Sequence, residues 1–288
     1  MNIGIASVNV GGRDGAAMVR LGQAAEAAGV ESFWTFEHVV VPESYESPYP
    51  YSRDGKMPVT PETPFADPLI SLAHLAGATT TLRLATGVNI APQANPLLLA
   101  KQVASLDFLS GGRLILGLGA GWLKEEYDAM GVPFSGRGRR FDDYLEAMKK
   151  VWSGDTVEHQ SSYLNWSGFK SFPLPVQRPH PPLIIGGTSD AAFRRVARYG
   201  DGWFAPSRNI EDLRGMCTRL REELKRVGRP PGEIEISAMW GPGTEGMEFL
   251  SQYRELGVSR LVVPLHLLPD RDPEVGMNLL CEQVHAAL

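Results

Sequence analysis

Short apolar runs of the kind that bury both faces of a parallel strand recur along this chain, each separated from the next by a longer segment with helical period. The runs predict strands over Ile3–Val8, Ser32–Phe36, Arg83–Val88, Arg113–Leu118, Pro182–Ile185, Gly202–Phe204, Glu233–Met239 and Ser259–Pro264. Helices are expected over Ala16–Ala28, Pro68–Thr79, Pro96–Leu109, Arg139–Trp152, Ala191–Tyr199, Ile210–Val227, Glu245–Leu256 and Pro273–Ala287. In the first of these, Met18, Leu21, Ala25 and Ala28 recur at three- and four-residue spacing, and Gly29 supplies the stop. Pro68, Pro96 and Pro273 stand where a first helical turn tolerates a missing N–H. Eight strand and helix units in 288 residues predict an α/β fold, a (β/α)8 TIM barrel occupying residues 1–288 as one domain. A doubly wound sheet would normally close with fewer strands.

Composition narrows the function. With 43% hydrophobic and 21% charged residues the chain has the makeup of a globular protein, not a disordered one. Its net charge of -5 is spread without an acidic tail or a lysine and arginine block, so neither a nucleic-acid partner nor a membrane surface is expected. No 18-residue apolar run and no signal-peptide pattern is visible. Cys217 and Cys281 are the two cysteines, which excludes a disulfide scaffold and a four-cysteine zinc site and suits a reducing cytoplasm.

Two connections exceed plain barrel turns. Residues Val39–Ala66 carry six prolines together with Tyr45, Tyr49 and Tyr51, a stiff aromatic segment that leaves the mouth where a ligand would lie. Gly154–Pro181, with Tyr163, Trp166, Phe169 and Phe172, is expected to form a short hairpin before the fifth strand. Functionless insertions are the competing reading of both.

Reacting groups in such a barrel lie at the C-terminal ends of strands. Glu37 and His38 pass this filter: the imidazole can exchange a proton near neutral pH and the carboxylate can accept hydrogen bonds. The alternative is a bonded pair that merely ties down the long loop. His266, after the eighth strand, is a weaker candidate, and no metal-ligand spacing accompanies it. Gly117-Leu118-Gly119-Ala120-Gly121-Trp122 fails the dinucleotide fingerprint, because its third glycine would fall on Trp122. These glycines either admit a flat ligand close to the backbone or relieve crowding at the rim. Ile185-Gly186-Gly187-Thr188-Ser189 turns from a buried strand into a helix start whose free N–H groups suit a phosphate. Thr188 or Ser189 would serve that anion or simply cap the helix, Asp190 competes for the same amides, and Arg208 could add positive charge.

Taken together, Ser32-Phe33-Trp34 through Glu37-His38, Thr86-Gly87-Val88, Asn95 to Gln102, Leu106 to Arg113, Gly117 to Trp122, Ile185 to Ser189 and Tyr199 to Trp203 resemble the bacterial luciferase-like superfamily. The resemblance covers essentially the whole chain, and Asn95–Arg113 is most similar to the branch using the deazaflavin coenzyme F-420. It implies a TIM barrel with a cofactor ring across its mouth, near Gly87, Val88, Asn89, Ala120, Gly121 and Trp122. The tail phosphate would be held by Gly186, Gly187, Thr188, Ser189 and Arg208. It further implies a cis peptide at Gly87-Val88 and a His38 that binds substrate or cofactor and moves a proton, with Glu37 standing where an aspartate is often found. Related sugar dehydrogenases place a glutamate where this chain has Trp122, which puts their proton relay in doubt here and suits Trp122 to stacking or walling off substrate.

The expected activity is hydride transfer between coenzyme F-420 and a small-molecule substrate. An FMN-dependent monooxygenase is the alternative, and a silent flavin-binding protein a third possibility. The resemblance also implies a homodimer.

Overall fold

The computed structural model describes residues 1–207, 209–241 and 245–288. Eight parallel strands form a closed barrel: β1 (Asn2–Ala6), β2 (Ser32–Thr35), β3 (Arg83–Thr86), β4 (Leu114–Gly119), β5 (Leu183–Gly186), β6 (Gly202–Ala205), β7 (Glu235–Met239) and β8 (Val258–Pro264). Each pairs with its neighbours in chain order, and β8 closes onto β1 with Asn2 opposite Arg260 and Ala6 opposite Pro264. All eight expected strands are present. β1 stops at Ala6 because Ser7 adopts φ 64°, a left-handed backbone that breaks the ladder.

The strands read as apolar runs because both faces are covered. Their outward side chains, among them Ile5, Phe33, Leu84 and Leu116, pack beneath the helices. Their inward side chains fill the barrel with Ala6, Trp34, Ala85, Ile115, Ile184, Phe204 and Val262. Trp34 stacks on Phe204 with centroids 5.1 Å apart. Trp34 needs Gly4 opposite it, since a Cβ there would lie 2.6 Å from the indole nitrogen. Beneath Trp34, the fully buried Arg260 makes a two-pronged bond to Glu31, at 2.7 Å on each prong, and also reaches Glu235 and Ser237. The N-terminal end is thereby plugged, and Phe36, Val88 and Met239 form the half-buried layer on the other side.

The helices begin as the prolines predict: Asp67, Asn95 and Asp272 cap the turns opened by Pro68, Pro96 and Pro273. The expected helix Glu245–Leu256 is shorter, a 3-10 turn Met247–Phe249 followed by Leu250–Glu255. Glu245 is drawn out of it because its carboxylate accepts from the Ile210 amide and the Tyr253 hydroxyl. The hairpin before β5 is present as Val157–Gln160 and Asn165–Phe169. Two further elements carry no periodic signal: the strand Asn89–Ile90, paired to the end of β4, and the helix Lys124–Ala129.

Candidate active site

The C-terminal rim is organised around Val88, which follows the cis Gly87-Val88 peptide expected from the resemblance. β4 passes so close that a Cβ on Gly117 would overlap the Thr86 carbonyl, and one on Gly119 would lie 2.5 Å from the Val88 side chain. A Cβ on Gly186 would meet the same side chain at 2.9 Å. For Gly117 and Gly119 the crowding explanation therefore accounts for the residue type. Gly121 has φ 69° and lies against Ile90 and Tyr127. The Ala120 carbonyl accepts from the Tyr127 hydroxyl and the Gly121 carbonyl from Arg137.

Glu37 and His38 leave β2 in different directions and do not bond each other. Glu37 accepts from the Asn89 side chain at 2.9 Å and from the Ile90 amide, so it ties β2 to the strand after the cis peptide. Burial pushes its carboxyl up to about 7; the bonds from Ile90 and Asn89 oppose that rise, and the nearby Glu126 and Asp67 carboxylates add to it. The other side-chain atom of Asn89, Oδ1, is buried without a partner.

His38 places Nδ1 3.1 Å from Oε2 of Glu126, whose other oxygen accepts from the amides of Val39 at 2.6 Å and Val40 at 3.4 Å. The His38 ring stands edge-on to Phe65 at 5.4 Å and to Trp122 at 6.2 Å. Trp122 in turn meets Tyr45 at 5.7 Å and Tyr49 at 5.1 Å. The aromatic segment 39–66 thus folds over the rim beside the histidine. Its ends are held by Asn9, which bonds the backbones of Phe36 and Ala66, and its interior by Glu125, which accepts from Glu46 and Ser47.

Across the rim, Gly186, Gly187 and Thr188 lead into helix Asp190–Tyr199. Gly187 sits at φ 116°, and its carbonyl accepts from the Trp203 indole. Ser189 is the cap, accepting from the Ala192 amide at 3.2 Å. Asp190 opens the helix, but its carboxylate turns away from the free amides and pairs with Arg219 at 2.6 Å. Arg208 lies outside the described residues. His266, in the turn Leu265–Leu267, is exposed.

Sequence reasoning missed Glu126, Glu125, Asn9 and Phe65. The two glutamates ride on a six-residue helix too short for an amphipathic pattern; their one sequence signal is a pair of adjacent acids a few residues beyond Gly121.

The rim thus offers a proton-bearing imidazole, an aromatic cover and an amide-rich helix start around one mouth. The family model described as luciferase-like monooxygenase matches residues 1–241. An uncharacterized protein of Mycobacterium tuberculosis is 33% identical over 260 residues, 88% of either chain. The oxygenase component of a flavin-dependent trigonelline monooxygenase from Acinetobacter baylyi is 31% identical over 74% of this chain, which spans 56% of that longer protein. Among solved structures, the coenzyme F-420-dependent tetrahydromethanopterin reductase of Methanopyrus kandleri superposes with a TM-score of 0.77 at 17% identity, covering 99% of this chain and 98% of its own. A match over most of the sequence, and a relative this similar over most of its length, establish that the chain belongs to the luciferase-like monooxygenase family.

Proposed function

We propose that the barrel mouth binds the deazaflavin coenzyme F-420 and that the enzyme passes a hydride between it and a small organic substrate. The observation that carries this reading is the unpaired edge of a half-buried imidazole: Glu126 occupies Nδ1 of His38, while Nε2 has no partner among the described residues. Phe65 and Trp122 flank that ring in an enclosure suited to excluding water.

The residues present fit such a group. The glycines at 186 and 187 leave the helix start without side-chain cover, and helix starts with free amides favour a phosphate. Pairing with Arg219 offsets the charge of Asp190, so the helix start is not self-neutralised. With Ser189 engaged as the cap, Thr188 and the backbone amides are the described groups that would hold the tail. Val88, Asn89, Ala120, Gly121 and Trp122 would border the ring, and Gly87 sets the turn beneath it. When bound, the deazaflavin supplies or accepts the hydride. His38 Nε2 would give or take the proton that accompanies the hydride, and Glu37 holds the segment after Gly87-Val88 in place.

FMN is the second reading, favoured by the flavin-dependent relative from Acinetobacter baylyi, and it uses the same phosphate site. Titrating the purified chain with each cofactor separates the two: binding of coenzyme F-420 and loss of turnover in His38→Ala are expected. Tight binding of FMN with none of the deazaflavin would overturn the proposal. We further propose a homodimer, and a cytoplasmic location in keeping with the free, buried Cys217 and Cys281.

A further inference from the structure

From the geometry we infer that Glu126 is a positioning residue that couples the aromatic segment 39–66 to the orientation of His38. This deepens the redox reading above and rests on it for the role of His38, but its test does not need a cofactor.

The carboxylate is buried, with 2% of its side chain exposed, and its two oxygens have different duties. Oε1 accepts from Val39 and Val40, the first residues of the long segment, and Oε2 meets Nδ1 of His38, the residue just before it. An ionised carboxylate has no proton to give, so the neutral imidazole must carry its proton on Nδ1 and present Nε2 as the lone-pair atom. The ring and the segment therefore share one anchor. Displacing the segment start removes the donors that hold Oε1 and frees the carboxylate to rotate away from the ring. Glu125, next on the same short helix, extends the clasp to Glu46 and Ser47. A substrate that seats the segment would by the same contacts set the tautomer that exchanges its proton.

The experiment uses the full chain labelled at histidine and observed by NMR above the imidazole titration range, with the His38 signals among six histidines assigned by loss in His38→Gln. The wild type is expected to show the Nδ1–H tautomer. In Glu126→Gln the amide carbonyl can still accept from Val39, leaving its NH2 toward Nδ1, so His38 is expected to switch to Nε2–H with the segment still in place. Limited proteolysis reads the other half. Cleavage within 39–66 should stay near the wild-type rate in Glu126→Gln and rise about tenfold in Glu126→Ala, which deletes the acceptor of both amides. An unchanged tautomer in Glu126→Gln, or an unchanged cleavage rate in Glu126→Ala, would overturn the coupling. Failure to bind either cofactor with both results intact would instead sink the redox reading and leave the coupling standing.

Discussion

Glu37 shows how a single carboxyl can store pH sensitivity in the fold. Its pKa is raised to about 7 by burial, so it contributes stability that is fully present below the ordinary carboxylate value of 4.5 and is lost as pH rises through about 7. A rise of this size corresponds to about 3 kcal/mol. Glu37→Gln should remove that slope. Its amide can still accept from Ile90, and turning the Asn89 amide over would bring the partnerless Oδ1 to the new N–H group. Thermal unfolding followed from about pH 5 to about pH 8 should show the wild type losing stability relative to the variant. A wild-type curve parallel to that of Glu37→Gln would contradict the assignment. The residue type and position of Glu37 and His38 were legible because both end an apolar strand run. Their partners were not: Asn89 and Glu126 lie 52 and 88 residues away, and a sequence pattern carries no record of which side chains meet across a barrel rim.

At the scale of elements, strands and long helices were legible because burial of two faces or of one stripe leaves a periodic trace. Among the elements that escaped, Asn89–Ile90 and Lys124–Ala129 were too short to have a period, and both bear on the site. The glycines of β4 were legible as a cluster but not as to cause; the close approach of Thr86 and Val88 supplies it. The neighbouring helices Pro68–Ala76 and Pro96–Ser110 raise a different point. They present Ile70, Leu98, Phe108 and Leu109 to solvent, with Ile70 at 71% and Leu109 at 75% exposure. Exposed apolar side chains on two helices packed side by side favour association, and a second copy meeting this face about a two-fold axis would make the proposed dimer. Light scattering should give twice the chain mass for the wild type and the monomer mass for Leu98→Glu/Leu109→Glu; a monomeric wild type would refute it.

For the molecule as a whole, the ion cluster around Arg260 binds β8 to Glu31, just before β2, and to β7. Arg260→Ala would strand two carboxylates at the barrel floor. Removing one partner of a buried pair costs about 3 to 5 kcal/mol, and the partial contact of Glu31 and Glu235 with water puts this case toward the lower end. Arg260→Lys, which keeps the charge without the fork, should lose less. Denaturant unfolding compares the two, and equal stability of Arg260→Ala and wild type would show the cluster to be idle. Closure of β8 onto β1 has a consequence during synthesis. Until residues 258–264 emerge from the ribosome, the nascent protein carries two raw hydrogen-bonding margins, one on its earliest strand and one on its seventh. Such an unfinished cylinder is a template for mispairing, so the stretch that supplies residues 258–264 decides whether the seven strands before it stay out of wrong pairings.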